Sequence, residues 1–360
     1  MEDGMAMKRR VNHILALLAA FIMALPLTGC HFRKLQDPSN STYVRVYVDE
    51  VIKNVNTGFY NPDFVHPEYK RPEILRIGLF DHSDGHLVSD RYLRGQGDDE
   101  RGHYYDGYIT AAPGTYDFVA YNFGTEATIV GSEYDLSSMT AYTNEISPSL
   151  RSRFKADGNV TVPIRYDADH LFVANGDGIK VKTHMGPDTL RSNTGEPFFR
   201  ASSVVQSWYL QIGVVGSQWV ASAVCVLDGM ASSVRLKDRD FANSDETALY
   251  MELLSGTYPD NFYPGLTDFH CIYTTFGTFG KLPNATNNLV VTFEFITTYG
   301  KRFEVPIDIT EEFFKPDATN HQWLIISKII EIPEPEGGGG GGGMNPSVTD
   351  WDDVKADIII

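Results

Sequence analysis

The stretch Tyr43-Val44-Arg45-Val46-Tyr47-Val48 alternates valine with larger amphipathic or charged side chains. A period of two is what a β-strand needs when one of its faces is buried, and β-branched valine suits that pleated surface. The same period recurs down the chain. Glu73 to Phe80 reads as the next strand and closes on the turn-forming run Asp81-His82-Ser83-Asp84-Gly85. Arg94 to Gly107 is polar and reads as a loop, and Pro113-Gly114 then turns into a strand with Tyr116, Phe118 and Ala120 on one face. Residues 131 to 158 are rich in Ser and Asn, with a short helix expected around Ser147 to Phe154. Val160 to Tyr166 and His170 to Ala174 read as short strands.

Pro187 to Arg200 is polar and turn-rich, an expected interdomain segment. Beyond it, Val204–Val215 and Gln218–Leu227 predict a hairpin around Gly216-Ser217. Phe269 to Phe276 is another strand, and Leu289–Tyr299 with Phe303–Ile309 predicts a second hairpin across Gly300-Lys301. Thr310 to Phe314 reads as one helical turn stopped by Pro316, and Trp323 to Ile332 as a strand ending at Pro333. Many short strands with little helix argue for an all-β fold. We expect two tandem antiparallel β-sandwich domains, over residues 41–186 and 187–336.

The two ends of the chain carry different signals. Lys8, Arg9 and Arg10 precede a short apolar run from His13 to Leu27, which ends Leu27-Thr28-Gly29-Cys30. The run is shorter than the roughly 20 apolar residues that span a bilayer. Basic, apolar, then small-Gly-Cys resembles the signal and lipobox of bacterial lipoproteins. The expectation is a signal peptide over 1–29, lipid on Cys30, a linker over 30–40, and attachment at the outer membrane. At the other end, Gly337 to Gly343 form a flexible run of roughly 15 Å root-mean-square span. The tail 344–360 follows, with Val354, Ala356, Ile358 and Ile360 on one face of a strand and Lys355 and Asp357 opposite. Asp350, Asp352 and Asp353 add charge that discourages indiscriminate edge pairing. That strand completes a partner's sheet, folds back on its own, or stays disordered, and the sequence leaves all three open.

The chain has 47 acidic residues against 30 Lys and Arg, a net charge of −17. That balance disfavours nucleic acid and anionic headgroups as partners. Cys225 and Cys271 remain once Cys30 carries lipid; two buried free thiols are expected, with a disulfide as the alternative. No His-Glu-x-x-His, Gly-x-Ser-x-Gly or phosphate-binding Gly-Lys-Ser/Thr pattern occurs, so no catalytic residue, metal or cofactor is expected. Asp238 to Glu246 lacks the central glycine of a calcium loop and reads as a solvated connection. Asp98-Asp99-Glu100 and the loop histidines His82, His86 and His103 read the same way. Tyr104, Tyr105 and Tyr108 could stack on a sugar, but packing is the simpler reading.

The lipobox, the segment Pro113 to Asn122, the segment Leu227-Asp228-Gly229-Met230-Ala231-Ser232-Ser233 and the Gly-rich acidic tail together resemble the Bacteroidales-type fimbrillin superfamily. Within it, they look like the lipid-anchored minor or anchor subunits of type V pili. The resemblance implies two transthyretin-like sandwiches, no enzymatic activity, and other fimbrial subunits as partners. It also implies assembly by strand exchange, in which a protease removes an N-terminal strand and a neighbour's C-terminal strand fills the groove. Arg33 and Lys34 would admit cleavage between Cys30 and Tyr43, but a cut there would release the chain from its lipid. The alternative is a lipid-anchored surface module that binds glycan or another ligand.

Overall fold

The computed structural model describes residues 41–49, 60–65, 70–122, 125–155, 160–182, 188–258, 269–283, 289–335 and 347–350. In its first half lie β1 (Ser41–Val48), β2 (Leu75–Asp81), β3 (Leu87–Leu93), β4 (Gly95–Asp99), β5 (Gly102–Thr110) and β6 (Gly114–Asn122). They are followed by β7 (Thr128–Gly131), β8 (Thr140–Thr143), helix α1 (Pro148–Lys155), β9 (Ile164–Tyr166), β10 (Phe172–Val181), β11 (Asp188–Thr189) and β12 (Phe199–Ser203). The main sheet of this half runs β3-β2-β6-β10-β12-β1-β5-β4, with β11 beside β1. Its strands close around Val44, Val46, Leu75, Ile77, Tyr105, Phe118 and Phe172.

The second half holds β13 (Gln206–Val215), β14 (Val220–Ala231), β15 (Ser233–Arg235), β16 (Glu246–Glu252), β17 (Leu254–Thr257) and β18 (Phe269–Thr278). After these come β19 (Val290–Thr297), β20 (Arg302–Asp308), α2 (Pro316–His321), β21 (Trp323–Glu331) and β22 (Ser347–Asp350). Two sheets, β17-β18-β13-β21-β22 and β20-β19-β14-β16-β9, stack into a sandwich. Between them are Leu210, Ile212, Leu227, Phe293, Phe295, Leu324 and Ile326. The fold is all-β, and most pairings are antiparallel. Parallel pairs occur between β1 and β11, β1 and β12, β13 and β21, and β16 and β9.

Strands and side chains also cross between the two halves. β9, from the first half, extends the second sandwich beside β16, and β15, from the second, pairs with β8 in a small sheet β15-β8-β7. Tyr121, Leu171 and Val173 share one apolar cluster with Ala231, Leu236 and Phe279. A further crossing comes from residues 60–65. Phe64 packs edge-on at 5.0 Å from Tyr209, and buried Asn61 donates to the Tyr209 hydroxyl at 3.1 Å. This short segment thereby covers the outer aromatic face of β13 and β18.

Several expectations need correction. Val204–Val215 and Gln218–Leu227 do become strands, but β13 and β14 lie in opposite sheets and form no hairpin. Period-two patterning reports that a strand is buried, not which strand it pairs with. Gly216 makes the crossing at φ 79°, where an added Cβ would stand 2.4 Å from the Ile332 carbonyl oxygen. The polar stretch Arg94–Gly107 is not a loop but contains β4 and the start of β5. Glycine and carboxylates hid an edge strand there, whose outer side carries no apolar pattern. Within Pro187–Arg200, β11 and β12 add to the first sheet beside β1. The helix near Ser147, the hairpin across Gly300-Lys301 and the turn ahead of Pro316 stand as expected. Cys225 and Cys271 are free and buried, Cys225 in the core between the sheets and Cys271 in the outer aromatic cluster. Among the described residues, no helix is long and apolar enough to cross a membrane.

Candidate functional site

No catalytic constellation assembles from the residues singled out by sequence. His86 sits in a backbone bridge with Asp135, and His103 is buried with its Nδ1 3.1 Å from Asp98. Asp238 and Asp240 both hold Arg235, at 2.7 and 2.8 Å, which makes their loop an ion-paired turn. Tyr105 is a core residue that donates to the Pro72 carbonyl. Tyr104 and Tyr108 lie on the outer face of β5 rather than in a loop, and Tyr108 is 56% exposed.

The features bearing on assembly are the two ends of the described chain. β1 is an interior strand: it pairs antiparallel with β5 over Ser41–Tyr47 and parallel with β12 over Val46–Val48. Its valines face the core. Its outward side chains are tied into the neighbouring strands. Tyr43 donates to Asp106 at 2.5 Å and Tyr47 to Asp99 at 2.6 Å, while the Arg45 guanidinium lies 3.9 Å from the centre of the Tyr104 ring. Burial, with Asp106 as acceptor, pushes the Tyr43 hydroxyl up to about 12, so it stays a donor at any physiological pH.

At the other end, β22 pairs antiparallel with β21, placing Ser347 opposite Glu331, Val348 opposite Ile330 and Asp350 opposite Lys328. β21 is nine residues long, and this pairing engages only its C-terminal part. The outer edge from Trp323 to Ser327 carries no pairing with the described part of the tail. The proposed donor residues Val354, Ala356, Ile358 and Ile360, and Cys30, lie outside the described residues.

Asp228 and Asp167, two carboxyl groups held above the usual carboxylate range, escaped sequence reasoning. Asp228 sits in a β14 bulge between Leu227 and Met230, inside the segment that carried part of the resemblance. It is 3% exposed, and its Oδ1 has no hydrogen-bond partner among the described residues. Burial, with the Glu246 charge adding, pushes it up to about 7. Asp167 accepts from the Gly277 N–H at 3.2 Å, yet burial raises it to about 6.

No family model matches the chain. A curated relative from Bacteroides ovatus, named "Putative fimbrium anchoring subunit Fim4B", is 25% identical over 246 residues, covering 67% of this chain. The match spans 60% of that relative's own length. Among solved structures, a "putative adhesin" from Bacteroides ovatus is 19% identical, with a TM-score of 0.53 over 87% of this chain and 99% of that one. The fimbrial anchor protein Mfa2 from Porphyromonas gingivalis aligns over 81% of this chain and 90% of its own, at 10% identity and a TM-score of 0.41. The resemblance to Bacteroidales fimbrial proteins read from the sequence is thus borne out by a relative bearing such a name, and the first of these structures shares the fold.

Proposed function

We propose that this chain is a structural, non-enzymatic subunit of a cell-surface fimbrium. Lipid on Cys30 holds it at the outer membrane, it keeps its own first strand, and it offers its C-terminal strand to a neighbouring subunit. The observation that carries this reading is the register of β22 on β21. In that register β22 engages only Lys328–Glu331 of β21 and, among the described residues, leaves the edge from Trp323 to Ser327 without a partner from the tail. The alternation Val354, Ala356, Ile358 and Ile360 beyond β22 suits β-augmentation, in which main-chain hydrogen bonds give affinity and alternate side chains fill pockets.

The placement of β1 supports a terminal position in such an assembly. A groove already filled by Val44, Val46 and Val48 has no room for a neighbour's strand, so the chain donates without accepting there. The name of the Bacteroides ovatus relative points the same way. The test is truncation after Gly343, followed by co-purification of fimbrial subunits with the membrane-bound chain. Loss of co-purification is expected, and undiminished co-purification would overturn donation. Cys30→Ser should move the chain out of the membrane fraction.

A second reading, a glycan-binding surface module, draws on the exposed Tyr108 ring, which packs edge-on against Tyr43 at 5.5 Å. A glycan array with wild type and Tyr108→Ala separates the two readings, since strand donation needs no contribution from that ring.

A further inference from the structure

We propose that His82, Asp117 and Asp177 form a binding site for a divalent cation of borderline softness, such as Zn²⁺. The three come from separate elements: the turn after β2, the middle of β6, and an irregularity in β10 between Gly176 and Ile179. One ligand atom from each lies within 4.8 Å of the others. His82 Nδ1 is 2.6 Å from Asp117 Oδ1 and 3.7 Å from Asp177 Oδ1.

The local backbone is built to bring these groups together. Asp117 is the fixed member, its side chain 5% exposed, with Oδ1 accepting the Gly178 N–H at 3.0 Å. Gly178 reaches that position at φ 61°, a left-handed conformation that favours glycine. The bulge turns Asp177 out of the ladder and toward His82, as bulges do when they re-aim a side chain. Asn193 clamps the bulge, accepting from the Asp177 N–H at 3.0 Å and donating to its carbonyl.

The donor set decides the ion. An imidazole nitrogen with two carboxylates suits Zn²⁺, whereas Ca²⁺ and Mg²⁺ take oxygen ligands. Tetrahedral Zn²⁺ with bonds of about 2.0–2.2 Å needs ligand atoms roughly 3.3 Å apart. The observed separations of 2.6 and 3.7 Å bracket that value. The adjustment falls on His82 and Asp177, whose side chains are 47% and 77% exposed, while Asp117 stays put. Solvent supplies the remaining coordination.

His82 Nδ1 stands within hydrogen-bond distance of Asp117 Oδ1, the atom pair an ion would have to enter. An imidazole nitrogen ligates only when it carries no proton, so binding is expected to release protons. The other charge facing the cluster is Lys237, whose Nζ lies 3.7 Å from Asp117 Oδ2 and competes electrostatically with the ion. Lys237 follows β15, and the carbonyls of Leu236 and Lys237 accept from Asn175 of β10 at 2.8 and 2.7 Å. A cation here would brace the place where the second half of the chain packs on the first.

The experiment is titration of chelator-treated full chain with Zn²⁺ by calorimetry, paired with Co²⁺ and its visible absorption. One site is expected, with d–d bands of low-symmetry four-coordinate Co²⁺ and proton release on binding. His82→Ala and Asp177→Asn should each weaken binding at least tenfold, and Lys237→Met should tighten it severalfold. Both exposed side chains can be removed without opening the core, and unchanged melting of the metal-free variants would confirm intact folds. The proposal is overturned if wild type binds neither ion, or if His82→Ala and Asp177→Asn bind both as wild type does.

Discussion

If β1 is a permanent strand rather than a removable one, thinning its buried face must cost the mature protein heavily. Val44 and Val46 are both 0% exposed. Valine to alanine removes the equivalent of two methylenes, worth about 1.6 kcal/mol at about 0.8 kcal/mol each. Incomplete relaxation of the cavity raises the cost to about 2–2.5 kcal/mol per site. Val44→Ala with Val46→Ala should therefore cost about 4–5 kcal/mol, with some non-additivity because both sites line one core. A domain holds only about 5–15 kcal/mol in all, and the melting temperature should drop by roughly 10 °C or more. The control is Arg45→Ala on the other face of the same strand. Arg45 is partly exposed, and its ion pairs with Asp99 and Asp106 are both at 3.4 Å. Such pairs are weak, so with the Tyr104 contact included the loss is about 1 kcal/mol. Scanning calorimetry reads both. A double variant that melts no lower than Arg45→Ala would refute the reasoning, because β1 would then be dispensable or absent from the mature fold.

Other perturbations follow from the interior. Asp228, pushed up to about 7, keeps a proton when folded that the unfolded chain gives up near pH 4. Folding stability therefore falls as pH rises from about 4 to about 7, and the loss persists above. Asp228→Asn should stabilise the chain at pH 8 by on the order of 1–2 kcal/mol and do little at pH 4; equal effects at both would exclude ionisation as the cause. A Cβ at Gly277 would stand 1.9 Å from the Ala168 carbonyl oxygen, so Gly277→Ala should cost about 2–3 kcal/mol in denaturant melts. Wild-type stability in that variant would mean the 167–169 segment does not lie against β18 as described. Burial raises the thiols of Cys225 and Cys271, so both should resist alkylation in the native state. Both should then react on denaturation without reductant, and a requirement for reductant would reveal a disulfide.

What could be read in advance was strand existence, because one-sided burial leaves its period in the side chains. Tyr43–Val48 and the pair joined at Gly300 are of that kind, the latter with Gly300 at φ 81° to make the turn. Partner choice could not be read. Nothing local distinguishes β13 followed by a hairpin from β13 followed by a crossing to the opposite sheet. β4 was concealed by Gly95 and Gly97, whose missing side chains leave room for Asp106 and Tyr104 on the neighbouring strand. The lacing of the halves by β9, β15 and residues 60–65 depends on contacts across long sequence separations. The same limit hid the cation cluster. His82, Asp117 and Asp177 are far apart in sequence, and Asp117 reads simply as the polar neighbour of inward-facing Tyr116 and Phe118.

The most direct test of strand donation is amide hydrogen exchange across Met344–Ile360, measured on the isolated chain and on assembled fimbriae. Donation predicts that Ser347–Asp350 is already slowed in the isolated chain through its pairing with β21. It also predicts that Ala356–Ile360 exchanges freely there and becomes protected only on assembly. Protection of Ala356–Ile360 in the isolated chain, or no gain of protection in fimbriae, would contradict it.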